Sequence, residues 1–259
     1  MSSRIGPAFH RLRQDRRMAL IAYLTAGYPN LESTPELLAA VAEAGADMVE
    51  LGIPFSDPLA DGKTIQATSQ AALTGGITVV GALEAGRRAR RLVAIPMLFM
   101  TYLNPILSFG LARFCKEAAG AGIDGLIVPD LPPEEAGELR AAASAQGLDL
   151  VFFVSPTSSA QRIDAACEAA TGFIYCIAVT GITGARSALD PKVIPLIERV
   201  RERTDLPVVV GFGLSRREHI AALEGHADGA IVASALLDAI RDAPADPVGA
   251  ASGFIRGLR

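Results

Sequence analysis

The chain has 259 residues, of which 50% are hydrophobic, 20% charged and 5% aromatic, with a formal net charge of −4. This length and apolar content bury a full core without disulfide or metal staples, and the slight acidity gives nucleic acid no positive field to follow. Three cysteines (115, 167 and 176) with no Cys-x-x-Cys spacing speak against a disulfide framework or a zinc knuckle.

In chain order, the segment RLRQDRRMALIAYLTAG comes first. A basic stretch before a short apolar one has the outline of a signal peptide. A strand over 19–24 explains it equally well and suits the rest of the chain, so a cytoplasmic protein is expected. Arg11, Arg13, Arg16 and Arg17 are read as the solvated face of an N-terminal helix. No apolar run reaches the ~18 residues of a membrane span.

Seven further short apolar runs follow, at 47–51, 95–100, 124–128, 149–154, 172–177, 207–211 and 228–232. Each is rich in Val, Ile or Phe and bounded by Gly, Pro or Asp, as strands are. Ala-, Glu- and Arg-rich segments with helical spacing lie between them, including 34–44 and 113–122. A weak repeat closes several helices: AGAD (44–47), AGID (121–124), QGLD (146–149) and the longer EGHAD (224–228). Its Gly suits the left-handed position that stops a helix just before a strand. Eight strand–helix units in a sequence of this size predict an α/β fold, a (β/α)8 TIM barrel with an extra N-terminal helix. With no linker or low-complexity stretch, 1–259 reads as one domain.

A barrel places its chemistry where strands end. The richest such loop is ELGIPFSDPLADGKT (50–64). Strand alternation turns Val49 and Leu51 outward and Glu50 into the barrel mouth. A carboxyl at the end of a buried strand loses solvation, which raises its pKa and suits it to general-acid work. The structural alternative is a buried Glu satisfied by backbone amides or an arginine. Asp61 has an ordinary alternative too, as a cap for the helix expected from Thr64, and Asp57 before Pro58 reads equally as a turn.

Glycines form a second group: GFGLS (211–215), ASALL (233–237) opening a short helix, and TGITGARS (180–187), long enough for a lid. Together, at this face of a barrel, they point to a phosphorylated substrate. Tyr175 shares a strand face with Phe173 and Ile177, as core or as a phenol at the mouth. Asp130 reads as fixing the turn into the next helix. His10, His219 and His226 all lie away from predicted strand ends, and Lys63 is the one lysine near the mouth. Metal chemistry on histidine ligands and Schiff-base chemistry are therefore disfavoured.

ELGIPFSDPLADG (50–62), with YLTAGYP (23–29), TYLNPI (101–106), GLIVPDLPPEE (125–135), GITGAR (181–186), GFGLS and DGAIVASAL, closely resembles the tryptophan synthase α-subunit family over nearly the whole sequence. The resemblance implies a lyase that splits indole-3-glycerol phosphate into indole and glyceraldehyde 3-phosphate by a retro-aldol step. It implies no cofactor and no metal in this protein. Pyridoxal phosphate is expected only in a β subunit, joined to this one as α2β2, with no nucleic-acid or membrane partner.

By the same resemblance, Glu50 would protonate the indole C3 and Asp61 would hold the indole N–H. Tyr175 and Thr183 would contact substrate, Thr183 in the lid. Gly184, Gly213 and Ser234 would bind phosphate, and Tyr23, Met100 and Phe212 would wall the indole pocket. Two positions depart from the family pattern: Lys63 stands where a proline usually follows Asp-Gly, and Ala233 where a glycine usually precedes the serine. The alternative reading is a free-standing indole-3-glycerol phosphate lyase that releases indole without a β subunit.

Overall fold

Strands β1 (Ala19–Thr25), β2 (Met48–Gly52), β3 (Met97–Met100), β4 (Gly125–Ile127), β5 (Asp149–Val154), β6 (Ile174–Ile177), β7 (Val208–Gly211) and β8 (Gly229–Val232) close into one barrel. All eight pairings are parallel, and β8 returns to β1 with Ala22 opposite Val232. The computed structural model describes residues 3–177, 191–211 and 213–259. All eight strand expectations are met, and the (β/α)8 architecture with them.

Alternation sorts the side chains as parallel strands under helices require. Val49, Leu51, Phe99 and Val210 face outward into the layer shared with the helices. Ile21, Tyr23, Met48, Leu98, Ile127, Val151, Phe173, Tyr175 and Val209 face inward and fill the barrel. The helix Ile5–Gln14 plugs the N-terminal end, burying Ile5, Ala8, Phe9 and Leu12 in that inner cluster. Phe9 meets Phe173 edge to face, with ring centroids 6.0 Å apart.

The Gly of the helix-stop repeat adopts the expected positive φ at Gly45, Gly122, Gly147 and Gly225. Its aspartates do more than open strands. Asp47, Asp124 and Asp228 stand one residue before β2, β4 and β8, because each carboxylate is spent on the neighbouring strand. Asp47 Oδ2 accepts from Leu20 N–H (2.8 Å), Asp124 Oδ2 from Met97 N–H (2.9 Å) and Asp228 Oδ2 from Val208 N–H (2.9 Å). Before β6 a hydroxyl replaces the carboxylate, and Thr171 Oγ1 accepts from Leu150 N–H at 2.8 Å. In each case the backbone N–H of the same residue returns a bond to the carbonyl of the residue it holds. The even strands thus clamp the odd ones at the N-terminal face.

Arginines neutralise three of these clamps: Arg4 and Arg90 on Asp124, Arg13 and Arg201 on Asp228, and Arg17 and Arg259 on Asp47. The expectation of a purely solvated arginine face is corrected accordingly. Arg13 reaches Asp228 from the N-terminal helix, and Arg16 and Arg17 lie beyond that helix's last residue. With one face given to clamps and the plug, the opposite face is left for chemistry.

Candidate active site

Glu50 is 1% exposed on β2, and its Oε2 has no hydrogen-bond partner among the described residues. The structural alternative of a Glu satisfied by backbone amides or an arginine is not what the described residues provide. Burial, then the nearby Asp61 carboxylate, pushes its pKa from 4.5 up to about 8. Glu50 is therefore a neutral acid at pH 7, with a proton to give.

Asp61 sits in the loop after β2. The helix that follows, Lys63–Thr74, is capped by Gly62 with no side-chain bond, so capping does not occupy Asp61. Burial raises its pKa from 3.8 to about 6, and a hydrogen bond with the Tyr102 hydroxyl pulls the other way. Asp61 is consequently ionised at pH 7 while Glu50, the better buried of the two, keeps its proton. One donor and one anionic acceptor share one mouth.

Phenols surround the pair. Tyr23 stands opposite Glu50 in the β1–β2 register, and burial followed by the Asp61 and Glu50 charges lifts its pKa well above the usual phenol range. Tyr175 is raised in the same way, by burial and then by Glu50 and Asp61. Both remain protonated donors. Their rings occupy space that two glycines leave open. A Cβ on Gly52 would meet the Tyr23 ring carbon Cζ at 2.7 Å, and one on Gly211 would meet Tyr175 Cζ at 2.5 Å. Phe153 stacks against Tyr175 with centroids 4.6 Å apart, and Met100 borders the same inner cluster. The side chains around the two carboxyls are thus largely aromatic and apolar.

Tyr102 escapes the sequence reading, although TYLNPI stands out as a motif. Its hydroxyl accepts from Ala60 N–H at 2.9 Å while bonding Asp61, so it holds both the loop backbone and the carboxylate. An aromatic two residues past a strand end is the available signal. Asp130 corrects another expectation. Instead of fixing its own turn it accepts from Leu103 N–H at 2.9 Å, which anchors the segment next to Tyr102.

On the far side of the mouth, β7 ends at Gly211 and Gly213 takes a φ of +77°. Ser234 is the first residue of the helix Ser234–Asp242, whose N-cap is Ala233 with no side-chain bond. Thr183, Gly184 and Phe212 lie outside the described residues. Lys63 opens its helix at the surface and helps line a shallow depression with Phe55, Ser56, Pro58 and Gln66 that contains neither carboxylate. Among the described residues no group of three or more His, Cys, Asp or Glu is placed to hold a metal.

Comparison with known proteins decides the family. The model for the tryptophan synthase alpha chain matches residues 9–254. The alpha chain of Roseiflexus sp. is 52% identical over 260 residues, spanning 99% of each protein. That of Chloroflexus aggregans is 50% identical over 258 residues, 99% of this protein and 97% of its relative. The chain belongs to the tryptophan synthase alpha chain family. A solved Mycobacterium tuberculosis tryptophan synthase superposes with a TM-score of 0.92 at 38% identity, covering 100% of this protein and 97% of that one. A Legionella pneumophila subunit alpha gives 0.91 at 34%, with 100% and 97% covered. As a tryptophan synthase α subunit it is a lyase that cleaves indole-3-glycerol phosphate in tryptophan biosynthesis, and a free-standing indole lyase is not favoured. The family works with a β subunit.

Proposed function

We propose that Glu50 and Asp61 carry the cleavage as an acid and an anionic acceptor. The supporting observation is the buried Glu50 carboxyl, whose Oε2 has no hydrogen-bond partner among the described residues and whose pKa is raised to about 8. Glu50 gives its proton to indole C3, and the Asp61 carboxylate accepts from the ring N–H that the cationic tautomer makes more acidic. The bond between the indole ring and the glycerol carbon then breaks, its electron pair returning to the ring to restore neutral indole. The hydroxyl on the departing carbon becomes an aldehyde by losing a proton. Glu50, now a carboxylate in an apolar pocket, is the base placed to take that proton and close the cycle. The indole ring is the electron sink, so no metal or Schiff base is required.

Tyr23, Met100 and Phe212 wall the indole site in this reading, while Tyr175 and Thr183 contact the substrate. Gly184, Gly213 and Ser234 bind the phosphate of indole-3-glycerol phosphate. The protein forms one domain over 1–259 and carries no cofactor, pyridoxal phosphate residing in the β subunit of an α2β2 complex. The loop around Leu59, which is 93% exposed, suits that partner. A cytoplasmic location is consistent with the absence, among the described residues, of any helix long and apolar enough to cross a membrane.

Incubation with indole-3-glycerol phosphate, with and without a β subunit, tests the assignment by the appearance of indole. Glu50→Gln is expected to abolish indole formation while leaving binding of the phosphate ester nearly intact. Unchanged turnover in this variant would refute the role of Glu50.

A further inference from the structure

His219 takes no part in the chemistry described above, yet it is 4% exposed beneath the loop that leaves β7. Its Nδ1 accepts from Ser215 N–H at 3.2 Å. An imidazolium would present a proton at Nδ1 to that N–H, so the bond requires the neutral ring with its proton on Nε2. Nε2 is itself buried and has no partner among the described residues. An apolar side chain here would leave no buried ring nitrogen unpaired, but it would strand the Ser215 N–H. What the imidazole supplies is an acceptor for Ser215.

That acceptor lies at an informative place. Gly211 is fixed by the sheet, paired with Ile177 on β6 and Ile231 on β8. Ser215 is fixed by His219. Gly213, with its φ of +77°, thus lies between one residue held by the sheet and another held by His219. A backbone anion site depends on such pre-set amides, because any freedom left in the backbone is lost again when the ligand binds.

We infer that His219 is a positioning residue for substrate phosphate, acting through Ser215 to hold the backbone from Gly213 to Ser215 in its binding form. This rests on the proposed assignment of Gly213 and Ser234 to the phosphate. The test compares His219→Leu, His219→Asn and His219→Gln in steady-state cleavage of indole-3-glycerol phosphate and in inhibition by glycerol 3-phosphate. Asn places an oxygen where Nδ1 lies, whereas Gln places one where Nε2 lies.

His219→Leu and His219→Gln are expected to raise KM and the inhibition constant about five- to tenfold, the worth of one hydrogen bond. Turnover at saturation stays within about twofold, and His219→Asn restores both binding constants. Equal defects in all three variants, or none in His219→Leu, overturn the inference. Gly213→Ala and Ser234→Ala separate it from the reading beneath it. If they leave both constants unchanged, the phosphate assignment fails and the inference falls with it. If they weaken binding and His219→Leu does not, His219 alone is misassigned. Nitrogen NMR of the wild-type ring gives a readout independent of variant folding: an unprotonated, hydrogen-bonded Nδ1 supports the inference, and a protonated Nδ1 overturns it.

Discussion

Replacing Glu50 by Gln keeps the size of the side chain and removes its titration, which makes the cost of burying this acid measurable. Unfolded, the carboxyl ionises near 4.5, and folded only at about 8. Below both values the group is protonated in either state and adds no pH dependence. Between them the folded protein holds a proton that the unfolded one has released, so stability falls as pH rises, by about 1.36 kcal/mol per unit at most. From pH 5 to pH 8 the accumulated loss is roughly 3–4 kcal/mol. At about 2–4 °C per kcal/mol for a protein of this size, that is on the order of 10 °C in Tm. Glu50→Gln lacks this slope, whereas the other titrating groups are common to both proteins and largely cancel. Scanning calorimetry at pH 5, 6, 7 and 8 should show the variant gaining on the wild type by that amount across the series. A constant Tm difference over the whole range would refute the claim that burial keeps Glu50 protonated, and with it the argument for a neutral acid at pH 7.

The same two carboxyls set the pH dependence of catalysis. Asp61 must be charged and Glu50 protonated, so kcat/KM should rise through about 6 and fall through about 8, with apparent values belonging to the coupled pair. A flat profile would contradict the division of roles. Tyr102→Phe removes the hydroxyl that lowers the Asp61 pKa, so the acidic limb should move to higher pH, whereas an unmoved limb would show the bond to be idle. Gly52→Ala forces a Cβ onto the buried Tyr23 ring and should cost about 1–3 kcal/mol in urea unfolding, much of it recovered when Tyr23→Leu is added. Asp124→Ala leaves Arg90 and the Met97 N–H without their shared acceptor and should lower stability by about 3–5 kcal/mol with kcat little changed. Equal unfolding midpoints for that variant and the wild type would show the clamp to be dispensable.

The parts of this molecule that follow one-dimensional rules are legible without the structure. Strand positions follow from apolar runs ended by Gly, Pro and Asp, and the orientation of Glu50 follows from counting alternate residues along DMVELG. Asp61 is ambiguous in sequence because its role depends on a tyrosine 41 positions away, bonded to it through Tyr102 Oη. Tyr102 itself offers only its place two residues past a strand end, which does not point to a partner on another loop. The repeat before β2, β4 and β8 reads in sequence as helix stop and strand start. The use of its carboxylates needs cross-strand pairing, which spacing does not encode. Arg13 and Arg17 mislead for the same reason: exposure of most of the side chain hides a guanidinium that meets a carboxylate at its tip.

Those clamps also bear on the order in which such a barrel can assemble. The four bonds join residues only 27, 27, 21 and 20 positions apart. Each ties an odd strand to the even strand that follows it, so each closure fixes one strand–helix–strand pair at the entropic cost of a short loop. The barrel is on this account four locally closed pairs, and only the seam between β8 and β1 must bring distant segments together. A closed parallel sheet would ordinarily be slow to form because its pairings are non-local. Here the step that depends on the whole sequence is confined to one seam, beside which Arg13 of the helix Ile5–Gln14 meets Asp228.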